Sequence, residues 1–149
     1  MKNYDFIVYA EGGHNRDVNK SAIAYIVIDG TDKHIVNSVS QTVAGVNDVQ
    51  AHLVAIGKAV RSLPNNCSAL VYSDSTYAVG LYSGTFKKVK TNLEYKDAFT
   101  KMVRMKNLRL AIEWHGLKLD DPLTHLCWQG CSDEVGEDFS EYYARTRVK

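Results

Sequence analysis

The chain has few of the residues that build specialised scaffolds. It holds two prolines and three cysteines in 149 residues, and an odd, small number of cysteines argues against a disulfide framework. No internal repeat, low-complexity tract or proline-rich linker divides the chain. Hydrophobic runs are strand-sized, too short to span a membrane. With 45% hydrophobic and 23% charged residues, we expect residues 1–149 to form one globular domain.

The expected location follows from two further absences. The N-terminal residues lack the apolar core of a secretion signal, and few cysteines suit a reducing compartment. We therefore expect an intracellular, cytoplasmic protein. Cys127 and Cys131 lie near His115 and His125 in the sequence, which leaves two interpretations open, a zinc site or packed thiols. Because Cys-x-x-x-Cys is a weak zinc signature and no second cysteine pair completes it, packed thiols are favoured.

Charge is distributed unevenly, although the net charge is only +1. Residues 86–110 carry eight basic and two acidic residues, a net of +6, which leaves −5 for the rest of the chain. This asymmetry indicates a basic surface for a polyanion and an acidic region elsewhere. A solvated helix face is the alternative explanation of the basic residues.

Hydrophobic periodicity predicts an α/β fold. Strands are predicted at residues 4–9, 21–29, 34–43, 69–73 and 108–114. Residues 11–15, with adjacent glycines, are predicted as a turn. Helices are predicted from residue 48 to the proline at 64, at 76–82 with Ser75 as cap, at 92–106, and from Ser132 onwards. Three antiparallel strands followed by parallel additions through helices predict a mixed five-stranded sheet covered by helices.

Two acidic residues follow predicted strands. Glu11 comes just past the first strand and Asp74 ends the fourth. Each alone is explained as a turn former or a helix cap. Together they suit a metal site, because phosphodiester hydrolysis by two metal ions needs carboxylates that converge from separate elements. Carboxylate oxygens are ligands of Mg²⁺ and Mn²⁺.

Three segments in this order resemble type 1 ribonuclease H. Residues 9–13 (Tyr-Ala-Glu-Gly-Gly) are similar to the Tyr-Thr-Asp-Gly-Ser of the family's first strand. Residues 73–77 (Ser-Asp-Ser-Thr-Tyr) are similar to its Thr/Ser-Asp-Ser-aromatic, and residues 50–56 (Gln-Ala-His-Leu-Val-Ala-Ile) to its Asn-x-Ala-Glu-Leu-x-Ala-Ile. The resemblance implies a ribonuclease H-like fold over nearly the whole chain. It also implies two-metal hydrolysis of the RNA strand of RNA–DNA hybrids, with Mg²⁺ or Mn²⁺ as cofactor.

The resemblance implies four catalytic, metal-binding positions: Glu11, His52, Asp74 and an acid on the last helix. Helical spacing favours Glu137 for the fourth position and leaves Glu141 as the alternative. Glu11 stands where the family has aspartate, and the extra methylene displaces the carboxylate. His52 stands where the family has glutamate, which removes one negative charge. Imidazole is a poor Mg²⁺ ligand and a better one for Mn²⁺ or later transition metals; a surface histidine without a metal role is the alternative.

The resemblance also implies a basic protrusion, at which Lys87, Lys88 and Lys90 would contact phosphates without reading the sequence. Many members of the family have a loop histidine that helps product release, and His115 and His125 are the candidates here. Two functions stay open. One is an endonuclease with reduced or Mn²⁺-favouring activity; the other is a catalytically weakened nucleic-acid-binding or assembly module. The identity of residue 52 is the feature that discriminates between them.

Overall fold

A five-stranded mixed sheet forms the centre of the protein, described by a computed structural model for residues 3–86, 88–116 and 122–135. The strands are β1 (Phe6–Asn15), β2 (Lys20–Asp29), β3 (Ile35–Val43), β4 (Ser68–Ser73) and β5 (Arg109–Trp114). The helices are α1 (Asp48–Arg61), α2 (Thr76–Tyr82), α3 (Leu93–Lys106) and α4 (Pro122–Val135). The strand order is β3-β2-β1-β4-β5. Strands β1 to β3 are antiparallel neighbours, and β4 and β5 add in parallel, so the predicted fold class is confirmed.

Helices cover both faces of the sheet and bury two apolar layers. On one face, α1 packs on β1 and β2, and residues of α2 and α3 join the same apolar cluster, which includes Ile23 and Val27 of β2. On the other face, α4 packs on Ala24 and Ile26. This double coverage explains why β2 is apolar on both faces. None of the described helices is both long and apolar enough to cross a membrane.

The prediction of a turn at residues 11–15 is wrong, because these residues continue β1. Each of them pairs with β2, beginning with Glu11 opposite Ala24, and the turn comes at residues 16–19. Gly12, the first of the two adjacent glycines, allows close packing against α1. A Cβ on Gly12 would lie 2.5 Å from the carbonyl carbon of Ala51 and from the nitrogen of His52. Glycine stands here because α1 crosses β1 at close range.

The predicted start of the last helix is also wrong. Helix α4 begins at Pro122, well before Ser132. Proline suits the first turn of a helix, where its missing N–H would have had no partner within the helix. Gly130 sits where α4 approaches the sheet, since a Cβ there would lie 3.0 Å from the Cβ of Ser40. Gly130 therefore marks a close contact between α4 and the sheet.

The cysteines on α4 are packed thiols. Both are 1% exposed. The Cys127 Sγ donates to the carbonyl of Tyr9 at 3.5 Å, and the Cys131 Sγ donates to the carbonyl of Glu11 at 3.4 Å. Among the side chains that the structure describes, no histidine or acid joins these thiols in a metal-binding group. The favoured interpretation agrees with this packing.

Candidate active site

Strands β1 and β4 place the two predicted acids at one cleft. The strands run parallel with Ala10 opposite Ser73, so the residues that follow these two, Glu11 and Asp74, lie at the same level of the sheet. Both line one small cleft. Glu11 is 6% exposed, and the side chain of Asp74 is 15% exposed. Two acids that are distant in the sequence therefore line one cleft, although the ligand atoms of Glu11, His52 and Asp74 do not all lie within 4.8 Å of one another.

Helix α1 brings His52 beside Asp74. Its start is fixed by a capping box: the Asn47 side chain accepts from the Gln50 N–H at 2.8 Å, and the Gln50 side chain accepts from the Asn47 N–H at 3.2 Å. His52 Nδ1 accepts a hydrogen bond from the Gly12 N–H at 3.2 Å. The same nitrogen lies 3.4 Å from Asp74 Oδ1. With its side chain 14% exposed, His52 is not a surface histidine.

Asp74 is a half-buried carboxylate with too few hydrogen-bond donors. Its Oδ1 receives no hydrogen bond from any described residue. Burial raises the pKa of Asp74. Because the Gly12 N–H donates to Nδ1 of His52, that nitrogen carries a lone pair rather than a proton. Two acceptors thus lie side by side, and a divalent cation is the group that would satisfy both.

Strand β5 ends beside the cleft and contributes His115. Its N–H donates to the carbonyl of Ser73 at 2.8 Å. Its ring packs against Tyr72 and Tyr9, with centroids 4.9 and 5.8 Å apart. All of these residues line the cleft. Of the two histidines considered for a loop role, His115 is therefore placed at the acids, whereas the side chain of His125 is not described.

Helix α4 contributes Thr124, which the sequence analysis did not single out. Thr124 is 2% exposed and lines the cleft with Glu11 and Asp74. Its signal was the proline two residues earlier, which marks the start of the helix and so puts Thr124 on its first turn. Glu137 and Glu141, the predicted fourth ligands, lie outside the described residues.

Residues 86–90, the basic segment, lie between α2 and α3. Lys88 and Lys90 are exposed, while Lys87 is outside the described residues. Phe86 anchors the segment: its N–H donates to the carbonyl of Gly80 at 3.3 Å, and its ring packs on Tyr77 with centroids 5.7 Å apart. A Cβ on Gly80 would lie 2.4 Å from that ring. The aromatic residue therefore holds the segment on the protein and leaves the lysines at the surface.

A second acidic group, which the sequence analysis did not identify, lies at the turn between β2 and β3. The ligand atoms of Asp29, Asp32 and His34 lie within 4.8 Å of one another. Hydrogen bonds from His34 lower the pKa of Asp32. The hydrogen bonds of the turn account for this arrangement, because Asp29 Oδ1 accepts from the N–H groups of Thr31 and Asp32 at 2.8 and 3.2 Å.

Comparison with solved structures places this architecture among RNase H domains. The N-terminal RNase H domain of Rv2228c from Mycobacterium tuberculosis has a TM-score of 0.72 at 13% identity, over 97% of this chain and 99% of that chain. RNase H1 from Halobacterium salinarum has a TM-score of 0.67 at 14% identity, over 88% and 97%. LC11-RNase H1 in complex with RNA/DNA hybrid has a TM-score of 0.66 at 16% identity, over 86% and 97%.

The similar structures show the fold, and the sequence shows the family. No curated protein sequence matches the chain. Residues 3–118 match the RNase H family, a range that includes all five strands, the first three helices and the predicted site residues Glu11, His52 and Asp74. Since this match covers most of the chain, and the similar structures include RNase H1 domains, the protein belongs to the RNase H family.

Proposed function

We propose that this protein is an endoribonuclease that hydrolyses the RNA strand of RNA–DNA hybrids with divalent metal ions. The observation that carries the proposal is the contact between His52 Nδ1 and Asp74 Oδ1, two acceptors 3.4 Å apart, together with the cleft that Asp74 shares with Glu11. Such an arrangement suits a cation and costs stability without one. The family membership supplies the class of reaction.

Each residue of the proposed site has a role that follows from its chemistry. Glu11 and Asp74 would hold the ions through carboxylate oxygens, and His52 through nitrogen. Glu137, or Glu141 in its place, would complete the set. The chemistry supplied by two bound divalent ions is activation of a water molecule and stabilisation of the leaving oxygen.

His52 makes the proposed site less negative than one with an acid at that position. We expect Mn²⁺ to support more activity than Mg²⁺, because Mn²⁺ accepts imidazole more readily. A catalytically weakened binding module is the second candidate function, and the same histidine favours it. In either case Lys87, Lys88 and Lys90 would bind the phosphates of the duplex.

The test incubates the protein with labelled RNA–DNA hybrid, duplex DNA and duplex RNA, in Mg²⁺ and then in Mn²⁺. We expect cleavage of the hybrid alone, faster in Mn²⁺, and loss of cleavage in Asp74→Asn. Tight binding of the hybrid without turnover in either metal would instead identify the binding module. Cleavage that persists in Asp74→Asn would reject the proposed site.

A further inference from the structure

The basic stretch of residues 86–110 is divided between two ends of the protein. Lys88 and Lys90 come just before Asn92. The side chain of Asn92 contacts Tyr77 at the start of α2 and Gln50 at the start of α1, so these lysines lie near the end of the sheet that carries the cleft. The other basic residues of the stretch include four in the second half of α3 and at the start of β5: Lys101, Arg104, Lys106 and Arg109. The proposed function does not use these four.

Pairing and hydrogen bonds place the four residues at the opposite end of the sheet. Strand β4 begins opposite Arg109 and ends directly before Asp74. The N–H of Asn66, which lies two residues before β4, donates to the carbonyl of Lys106 at 2.9 Å. Because a strand of six residues spans roughly 20 Å, the end of α3 and the start of β5 lie about that far from Asp74.

Helix α1 ends at the same place and adds two basic residues. Lys58 and Arg61 lie in its last turn. They line a groove together with Phe99 and Met102 of α3, so the two helices end side by side. Five of the six basic residues are exposed, and Lys106 is half-buried. We call these six residues the far surface: Lys58, Arg61, Lys101, Arg104, Lys106 and Arg109.

The positive charge of the far surface is not neutralised within the described part of the chain. None of its residues forms an ion pair with a carboxylate that the structure describes. Asp5 lies at the same end, but its Oδ2 accepts from the N–H and the hydroxyl of Ser68 at 2.9 and 3.3 Å. The acidic turn between β2 and β3 lies on the other side of β1. Helix dipoles favour cations in last turns, which leaves Lys101 and Arg109 unexplained.

A chain of phosphates is the partner that fits this surface best. Duplex nucleic acid carries one negative charge about every 1.7 Å along its axis, which matches positive charges spread over three elements. A protein interface has a centre rich in aromatic and apolar side chains. Among the large apolar side chains described as exposed, Met105 is the one that lies within the far surface. We propose that the far surface binds the phosphates of a second nucleic-acid segment.

The segment bound there is distinct from the duplex at the cleft. Duplex DNA has a persistence length of about 50 nm, so a duplex held at the cleft does not bend back to the opposite end of so small a protein. The far surface would hold another duplex or a distant part of a long one, and so keep the protein on nucleic acid between cuts. The inference rests on the proposed function for its choice of nucleic acid as partner.

The test counts bound duplexes in the Asp74→Asn background, in which the hybrid is not consumed. With a short labelled RNA–DNA hybrid at low salt, we expect two binding steps, one at the cleft and one at the far surface. Arg104→Ala should lower the slope of log affinity against log salt by about 1 for one step, the loss of one phosphate contact. Lys88→Ala should do the same for the other step. Lys33→Ala, at the β2–β3 turn, is the control and should change neither.

A single bound duplex at low salt overturns the inference, as do two steps of which Arg104→Ala alters neither, or alters the one that Lys88→Ala alters. If no second duplex binds but poly-glutamate does, and Arg104→Ala weakens it, the surface serves an acidic protein and the inference is rejected. A measurement on unsubstituted residues guards against a variant that fails to fold. The amide resonances of Lys106 and Asn107 should move with the second equivalent of hybrid, and their staying in place rejects the far surface.

The two proposals fail in different ways. If the unsubstituted protein cuts no hybrid in either metal but binds two duplexes, the enzyme is rejected and the far surface stands. If the protein cuts the hybrid and binds only one duplex, the far surface is rejected and the enzyme stands. A protein that binds no duplex rejects both.

Discussion

At the scale of single residues, the chemistry of the cleft depends on the charge balance between Asp74 and its neighbours. The Oδ1 atom of Asp74 is shielded from water beside His52. No described residue donates a hydrogen bond to it in place of the lost water. A residue kept in such a place weakens the fold, which is common where binding or catalysis needs the group. Two substitutions test this balance.

Asp74→Asn is expected to raise the unfolding temperature of the metal-free protein by a few degrees. Burial raises the pKa of Asp74 above its unfolded value, so the ionised carboxylate costs stability at neutral pH, and this cost disappears as the pH falls through the folded pKa. Thermal unfolding in EDTA should show the gap between variant and parent closing in acid. Glu94→Gln, at the exposed first turn of α3, should give no such gain, because that charge favours the helix dipole.

His52→Glu is expected to raise the Mg²⁺-dependent rate of hybrid cleavage by on the order of tenfold, within the range seen when metal-site residues are altered. The substitution restores a negative charge and an oxygen ligand, which Mg²⁺ prefers. His52→Gln is the matched control, since it supplies oxygen without charge and should give no comparable gain. An unchanged or lower rate in His52→Glu would show that residue 52 does not contact the ions.

At the scale of elements, the site depends on how closely α1 crosses β1. The contact passes through Gly12, whose missing side chain leaves room for the backbone at Ala51 and His52. The capping box at Asn47 fixes the start of the helix. The position of His52 is therefore a property of the packing between two elements rather than of the helix alone.

Gly12→Ala should destabilise the protein by about 1–3 kcal/mol, the cost of overpacking a close contact. Gly57→Ala is the matched control on α1, because a Cβ there meets nothing within 4 Å. Alanine is the better helix former by about 1 kcal/mol, so this variant should gain stability. Urea denaturation measures both, and a Gly12→Ala protein as stable as the parent would contradict the close crossing.

At the scale of the whole molecule, charge is divided between the acidic cleft and the basic segment. Residues 86–110 carry a net of +6 in a protein of net +1. Exposed Lys88 and Lys90 form part of that surface. The basic segment therefore attracts a polyanion, and the acidic cleft carries the chemistry. Only the binding of the polyanion should depend strongly on salt concentration.

Lys88→Ala should weaken binding of hybrid and of DNA duplex alike, and should lower the slope of log affinity against log salt by about 1. The physical reason is the loss of one phosphate contact with its released counterion. Lys33→Ala, at the β2–β3 turn where Lys33 Nζ donates to the carbonyl of Gly30 at 2.7 Å, is the control and should leave the slope unchanged. A salt titration of affinity provides both values.

The amino-acid sequence by itself determined the class of fold, the mixed sheet and the family, because these follow from local periodicity and from short motifs around Glu11, His52 and Asp74. Tertiary structure alone decided that residues 11–15 continue a strand and that α4 begins at Pro122. Glycine is ambiguous in sequence, since it serves turns and close contacts equally. The contact of His52 with Asp74 and the place of Thr124 depend on which elements pack together, and that is a long-range property that no local pattern encodes.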